Sequence, residues 1–324
     1  MSAKARPERL SGQISPSAQR EGSPVTVKLG INPITWTNDD MPELGGNIPL
    51  DVCLAEARLA GFSGIEMGGK FPRDAATLRP ILERHRLDLV SGWYSAQLCR
   101  RSAADEMLAV ESHLALLSAM NCRVMVFAEG HGSTDGDPNA PLSRRPILKD
   151  ADWPAFCARL NEVAKSLRGR GVRLAFHHHM GTVVQTEAEI DRLMAATSED
   201  VGLLLDTGHL VFAGGDPVAV ARRHAKRIVH VHCKDVRRAA LARALAADSS
   251  FLAAVLDDIF TVPGDGSIDF SAVLSELQRG GYAGWLVVEA EQDPVKAHPL
   301  TYARLGFANL RDAANKAGFT LTLR

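Results

Sequence analysis

The chain has 324 residues, 46% of them hydrophobic and 23% charged, with 37 Lys and Arg against 38 Asp and Glu and a formal net charge of −1. This is the composition of a globular protein with a substantial core, and the length suits one large α/β domain with loop insertions. The balanced charge leaves no footprint for nucleic acid and no cationic membrane face; no apolar run reaches the roughly 18 residues that span a bilayer, and the charged N-terminus has no apolar segment of a secretory signal.

Residues 1–25, rich in Ser, Pro, Arg and Gln, are predicted to be a disordered leader, and residues 26–324 the folded domain. Short β-branched or apolar runs then alternate with amphipathic ones. The predicted strands are V-K-L-G-I-N-P from Val27, S-G-I-E-M from Ser63, D-L-V-S-G-W from Asp88 and C-R-V-M-V-F-A from Cys122. They continue with V-R-L-A-F-H from Val172, V-G-L-L-L-D from Val201, I-V-H-V-H from Ile228 and W-L-V-V-E from Trp285. Helical patterns fill the intervals, as in L-D-V-C-L-A-E-A-R-L-A from Leu50, and one long loop is expected between Cys233 and Ser267. Strict βα alternation implies parallel strands, and eight units predict an α/β chain folded as a single (β/α)8 TIM barrel. A nucleotide-binding open sheet would carry G-x-G-x-x-G after its first strand; here that turn reads G-I-N-P-I-T-W-T-N-D-D. The five cysteines (Cys53, Cys99, Cys122, Cys157 and Cys233) are odd in number and widely spaced, which points to free thiols in a reducing cytoplasm.

In such a barrel the C-terminal strand ends converge on the catalytic mouth. Four successive strands end in metal-ligand residues: His177, with His178 and His179 after it; Asp206 and His209 in D-T-G-H; His230 and His232 in H-V-H-C-K-D; and Glu289 and Glu291 in V-V-E-A-E. Each alone has a bland reading as a solvated or packing residue. Their joint occurrence predicts a divalent-metal site, and mixed imidazole and carboxylate donors suit Mn, Co, Fe or Zn. Asn32, Trp36, Asn38, Glu66, Trp93 and Glu129 also fall at strand ends; the polar ones are candidate partners for substrate hydroxyls, and the tryptophans either wall a ring or pack. Lys234 is expected to polarise a carbonyl or to pair with Asp235. His178 is expected to point into the helix layer.

D-T-G-H, H-V-H-C-K-D, G-D-G-S-I-D-F and W-L-V-V-E together resemble the xylose-isomerase-like barrel superfamily, from about Val27 to Leu310. G-I-N-P-I-T-W-T-N-D-D-M-P-E-L-G-G, G-I-E-M-G-G-K-F-P and F-H-H-H-M-G-T-V-V-Q-T resemble its inosose dehydratase branch. The resemblance implies metal ligands at Asp206, His232 and Glu289, with His177 where the superfamily places a Glu. His179 remains an alternative to His177, and otherwise joins the substrate contacts. Two imidazoles and two carboxylates then favour Mn or Co as the ion; the resemblance further implies glutathione as a further cofactor, and dehydration of scyllo-inosose to a trihydroxycyclohexane dione through an enediolate. Glu289 is then the candidate base, with Lys234, His209 or Glu129 as acid. Three other readings each meet a specific feature of the sequence. A ketose epimerase or isomerase needs a second carboxylate base, which His177 replaces; a DNA-repair nuclease needs a basic groove; a non-catalytic sugar-binding barrel would lack the ligand set. The expected partner is a small polyhydroxylated ketone, not nucleic acid or membrane, and homo-oligomerisation is left open.

Overall fold

A computed structural model describes residues 25–322, so the predicted leader lies, apart from Val25, outside the described residues. Seven parallel strands follow one another round the barrel: β1 (Thr26–Ile31), β2 (Gly64–Met67), β3 (Asp88–Ala96), β4 (Val124–Glu129), β5 (Arg173–His177), β6 (Val201–Asp206) and β7 (Ile228–Cys233). An antiparallel pair, β8 (Asp235–Val236) and β9 (Phe260–Thr261), interrupts the alternation before the eighth barrel strand, β10 (Trp285–Val288). β10 pairs with β7 on one side and closes on β1 on the other, Lys28 opposite Trp285 through Ile31 opposite Val288. A short β11 (Thr320–Leu321) adds to the start of β1. The eight predicted strands are thus the eight of the barrel.

The outer layer is formed by α1 (Leu50–Ala60), α2 (Ala75–His85), α3 (Ala103–Ala119), α4 (Trp153–Gly169), α5 (Glu187–Ala196), α6 (Thr207–Phe212) and α7 (Pro217–His224). α10 (Phe270–Arg279) and α11 (Pro299–Lys316) complete it, while α8 (Arg238–Ala246) and α9 (Phe251–Leu256) belong to the segment after β7. Their starts follow from capping residues: Asp74, Ser102, Asp216, Ser250 and Asp269 each accept a backbone N–H from the first turn. Thr186 and Glu189 form a reciprocal capping box on α5. Among the described residues no helix is long and apolar enough to cross a membrane.

Two-residue alternation sorts the strands. Leu174, Phe176, Leu203, Leu205, Val231, Cys233, Leu286 and Val288 join the large core between sheet and helices, while Val126, Ala175 and Leu204 form a small cluster of their own. Two register shifts tune the pattern. Ile65 pairs with Leu89 and Met67 with Gly92, so Glu66 alone faces both Val90 and Ser91. Leu203 pairs with Ile228 and Leu204 with His230, and the extra residue brings His232 opposite Asp206.

The long loop expected between Cys233 and Ser267 is instead organised as β8, α8, α9 and β9 around a second core of Met180, Phe212, Val236, Phe251, Ile259 and Phe260. Asp235 anchors its return. The carboxylate accepts from the backbone N–H groups of Gly264, Gly266, Ser267 and Ile268 at 2.8–3.1 Å. A Cβ on Gly266 would lie 2.3 Å from Asp235 Oδ1, so only glycine permits this approach.

Candidate metal centre

His177 ends β5, Asp206 ends β6, His232 lies on β7, and Glu289 follows β10. Their ligand atoms all lie within 4.8 Å of one another, and all four residues are buried. His177 Nε2 is 3.5 Å and His232 Nδ1 3.4 Å from Asp206 Oδ2, and His232 Nδ1 is 2.6 Å from Glu289 Oε2. His177 Nε2, Asp206 Oδ2 and His232 Nδ1 are nevertheless buried without a hydrogen-bond partner among the described residues. Orphaned lone pairs are costly in a protein interior, and three aimed at one point make a cation socket.

The surroundings fix which atoms face that point. His177 Nδ1 donates to the His178 carbonyl at 2.6 Å, which leaves Nε2 with its lone pair. Asp206 caps α6 by accepting from His209 N through Oδ1 at 2.8 Å, which turns Oδ2 inward. His232 Nε2 donates to Glu66 Oε1 at 3.2 Å, which turns Nδ1 toward the carboxylates of the socket. Glu66 is itself held by His230 Nε2 at 2.7 Å, Ser91 Oγ at 2.5 Å and Asn32 Nδ2 at 2.7 Å. A carboxylate behind a ligating imidazole is the usual second support of a metal site. The donor set therefore fits one divalent ion.

Electrostatics agree. Burial would raise the Asp206 carboxyl, but Lys234 and His209 outweigh it and hold it well below the usual range. Burial opposed by His232 and Lys234 likewise leaves Glu289 at about 2. Burial lowers His177 to about 4, so its imidazole is neutral, as a ligand must be. Burial would also lower His232, but Glu289 and Glu66 overcome it and push it well above its ordinary value: positive charge is drawn to this spot.

A second cluster adjoins the first. Lys234 does not pair with Asp235; alternation sends it to the opposite side, where Nζ contacts Glu289, Glu291 and His209. His179, His209 and Glu291 also offer ligand atoms within 4.8 Å of one another.

Above the centre opens a cavity of about 360 Å³, within the range of small-molecule sites. Asn32, Trp93, Glu129, His179, Glu289 and Glu291 line it. Of the other sequence candidates, Lys234, His209 and Glu66 are buried beneath it, and two are turned elsewhere. Trp36 is fully buried and donates through Nε1 to Glu56 of α1 at 2.6 Å. Asn38 spends its Oδ1 on the backbone of Asp40 and Met41. His178 lies on the outward parity, its Nε2 3.3 Å from Asp206 N. Glu129 accepts from Leu98 N at 2.7 Å and His131 N at 3.0 Å, yet burial still raises it to about 7. The wall also contains Asp39, Asp40, Arg73, Ser95, Gln97 and Asp135, which sequence reasoning missed. Most stand in loops, where no periodicity marks them. Glu291 is a strand-end carboxylate to which the sequence assigns no role.

The family described as xylose isomerase-like TIM barrel matches residues 54–313. A curated rhizopine catabolism protein, MocC of Rhizobium meliloti, is 52% identical over 298 residues, 92% of this chain and 92% of the relative. An inosose dehydratase of Geobacillus thermodenitrificans is 46% identical over 279 residues, 86% of this chain and 94% of the relative. Among solved structures, the IolI protein with a bound zinc atom superposes with a TM-score of 0.63 at 18% identity, covering 90% of this chain and 98% of that one. The last likeness is one of fold.

Proposed function

This chain belongs to the xylose isomerase-like TIM barrel family and is an enzyme of the dehydratase kind, and from that premise we propose that it removes water from scyllo-inosose in inositol catabolism, with one divalent ion held by His177, Asp206, His232 and Glu289. The observation that carries this reading is the convergence of those four buried donors, three with unpartnered atoms, beneath a polar cavity. Bound there, a divalent ion would supply Lewis-acid polarisation of a ketone oxygen and so acidify the C–H beside it. Two imidazoles and two carboxylates favour Mn or Co over Mg.

The chain's own residues supply the rest. His179 donates from Nδ1 to the Met180 carbonyl at 2.8 Å, so its Nε2 keeps a lone pair and takes the proton from the carbon next to the ketone. Glu129, raised to about 7 by burial, holds a proton near neutrality and passes it to the departing β-hydroxyl, which leaves as water. Ser95, Gln97 and Arg73 offer donors to the remaining hydroxyls, and Trp93 walls the ring.

Elimination rather than epimerisation follows from His177. An epimerase returns a proton to the opposite face of the same carbon. His177 occupies the position a second base would need, but its Nδ1 already donates to a carbonyl and its Nε2 would be taken by the ion. Incubating Mn-loaded enzyme with scyllo-inosose and following the absorbance of the enolised dione tests the reading: dehydrated product is expected, with no epimerised inosose. Efficient epimerisation of ketohexoses, with inosose left untouched, would overturn it.

A further inference from the structure

Lys234 is fully buried, and its ammonium is surrounded by atoms that metal ions favour. Nζ lies 2.7 Å from Glu291 Oε1, 2.9 Å from Glu289 Oε1, 3.0 Å from His209 Nε2 and 3.7 Å from Asp206 Oδ2. An ammonium only donates, so His209 Nε2 accepts at 3.0 Å in preference to the longer 3.4 Å approach of Met180 N to Nδ1, presenting the lone pair that a metal would use. Glu289 is shared between this position and the socket: Oε1 faces Lys234 while Oε2 faces His232 Nδ1 at 2.6 Å. A carboxylate spanning two cationic positions is the geometry of a two-ion centre. Further donors stand ready. The His179 and His209 rings are 3.8 Å apart, and Glu291 Oε2 is buried without a hydrogen-bond partner among the described residues. The fold also makes room for the lysine stem, because a Cβ on Gly208 would lie 2.5 Å from Lys234 Cγ and 2.7 Å from Cδ. The Phe260 ring covers Nζ at 4.6 Å.

We propose that Lys234 is a tethered cation standing in a second metal position, and that it keeps this centre to one ion per chain. With it in place, a second divalent ion would sit within contact range of a buried positive charge and be repelled. Without it, His179, His209, Glu291 and the shared Glu289 form a second site of imidazole and carboxylate donors, the set that suits Mn, Co or Zn. The inference rests on the proposed first ion at His177, Asp206, His232 and Glu289.

The test is a metal count. Metal-stripped wild type and Lys234→Ala are loaded with excess Mn(II) and desalted; the bound Mn is measured by mass spectrometry and its paramagnetic resonance recorded. Wild type should hold one Mn with the spectrum of an isolated ion. Lys234→Ala should hold two with an exchange-coupled spectrum, and adding His209→Ala should return it to one. Two Mn per wild-type chain, or one per folded Lys234→Ala chain, overturns the inference. Should Lys234→Ala fail to fold even in Mn, the same count on Lys234→Gln decides. No Mn on wild type would sink the first-ion reading itself, a result distinct from wild type at one and the variant unchanged.

Discussion

Glu66 acts on the centre through His232, whose Nε2 it holds at 3.2 Å while Nδ1 faces the socket. Glu66→Gln keeps the shape but loses the charge that orients and enriches that imidazole, so Mn affinity should fall about 10–100-fold. Titration of Mn into stripped protein would register it, and excess Mn should restore activity; unchanged affinity would contradict the positioning role. Glu129 carries a different expectation. As the proposed proton donor it would work below about pH 7, so kcat should fall as pH rises through that value, and Glu129→Gln should lower kcat roughly 10²–10⁴-fold and abolish that limb of the profile. The same group leaves a mark on stability. A carboxyl raised from 4.5 to about 7 binds its proton more tightly when folded. The stability it contributes is complete below pH 4.5 and lost as pH climbs through about 7. The melting temperature of Glu129→Gln should therefore decline less than that of wild type between these limits.

The segment after β7 depends on Asp235, which gathers four backbone N–H groups of the returning loop. Asp235→Ala strands those donors and should cost more than about 3 kcal/mol, read as a fall in denaturation midpoint. Hydrogen exchange should show the loss concentrated in β8, α8, α9 and β9; a uniform loosening would argue against a local anchor. This segment also marks where sequence reading stopped. The barrel strands were legible because β-branched runs such as V-M-V-F-A and W-L-V-V are long enough to show a pattern, and the donors because they sit at strand ends. β8 and β9 are two residues each, too short for any period to register, and their pairing spans residues 235 to 261. Lys234 and Asp235 show the same limit at finer grain. Adjacent and opposite in charge, they read as an ion pair, yet strand alternation separates them, one into the charged centre and one into the loop. The cavity wall was illegible for a related reason, since Arg73, Gln97 and Asp135 meet only through the closed barrel.

At the scale of the whole molecule the socket ties together β5, β6, β7 and the residue after β10. An ion that binds the folded state alone stabilises it by about 2.7 kcal/mol at a hundred times its dissociation constant. Chelation should therefore lower the melting temperature by several degrees, with Mn or Co restoring it and Mg doing so poorly; full recovery with Mg alone would contradict the donor chemistry. The closure of the barrel gives this dependence a direction in time. β1 leaves the ribosome about 250 residues before its partner β10. Until Trp285–Val288 arrives, β1 has an unpaired edge and the nascent sheet lies open, a state prone to associating with other chains. Three of the four donors are synthesised by then, but Glu289 comes on the far side of the strand that shuts the barrel. Translation thus delivers the last ligand and the final seam together, so that a chain stalled short of Glu289 has neither a complete socket nor a closed sheet.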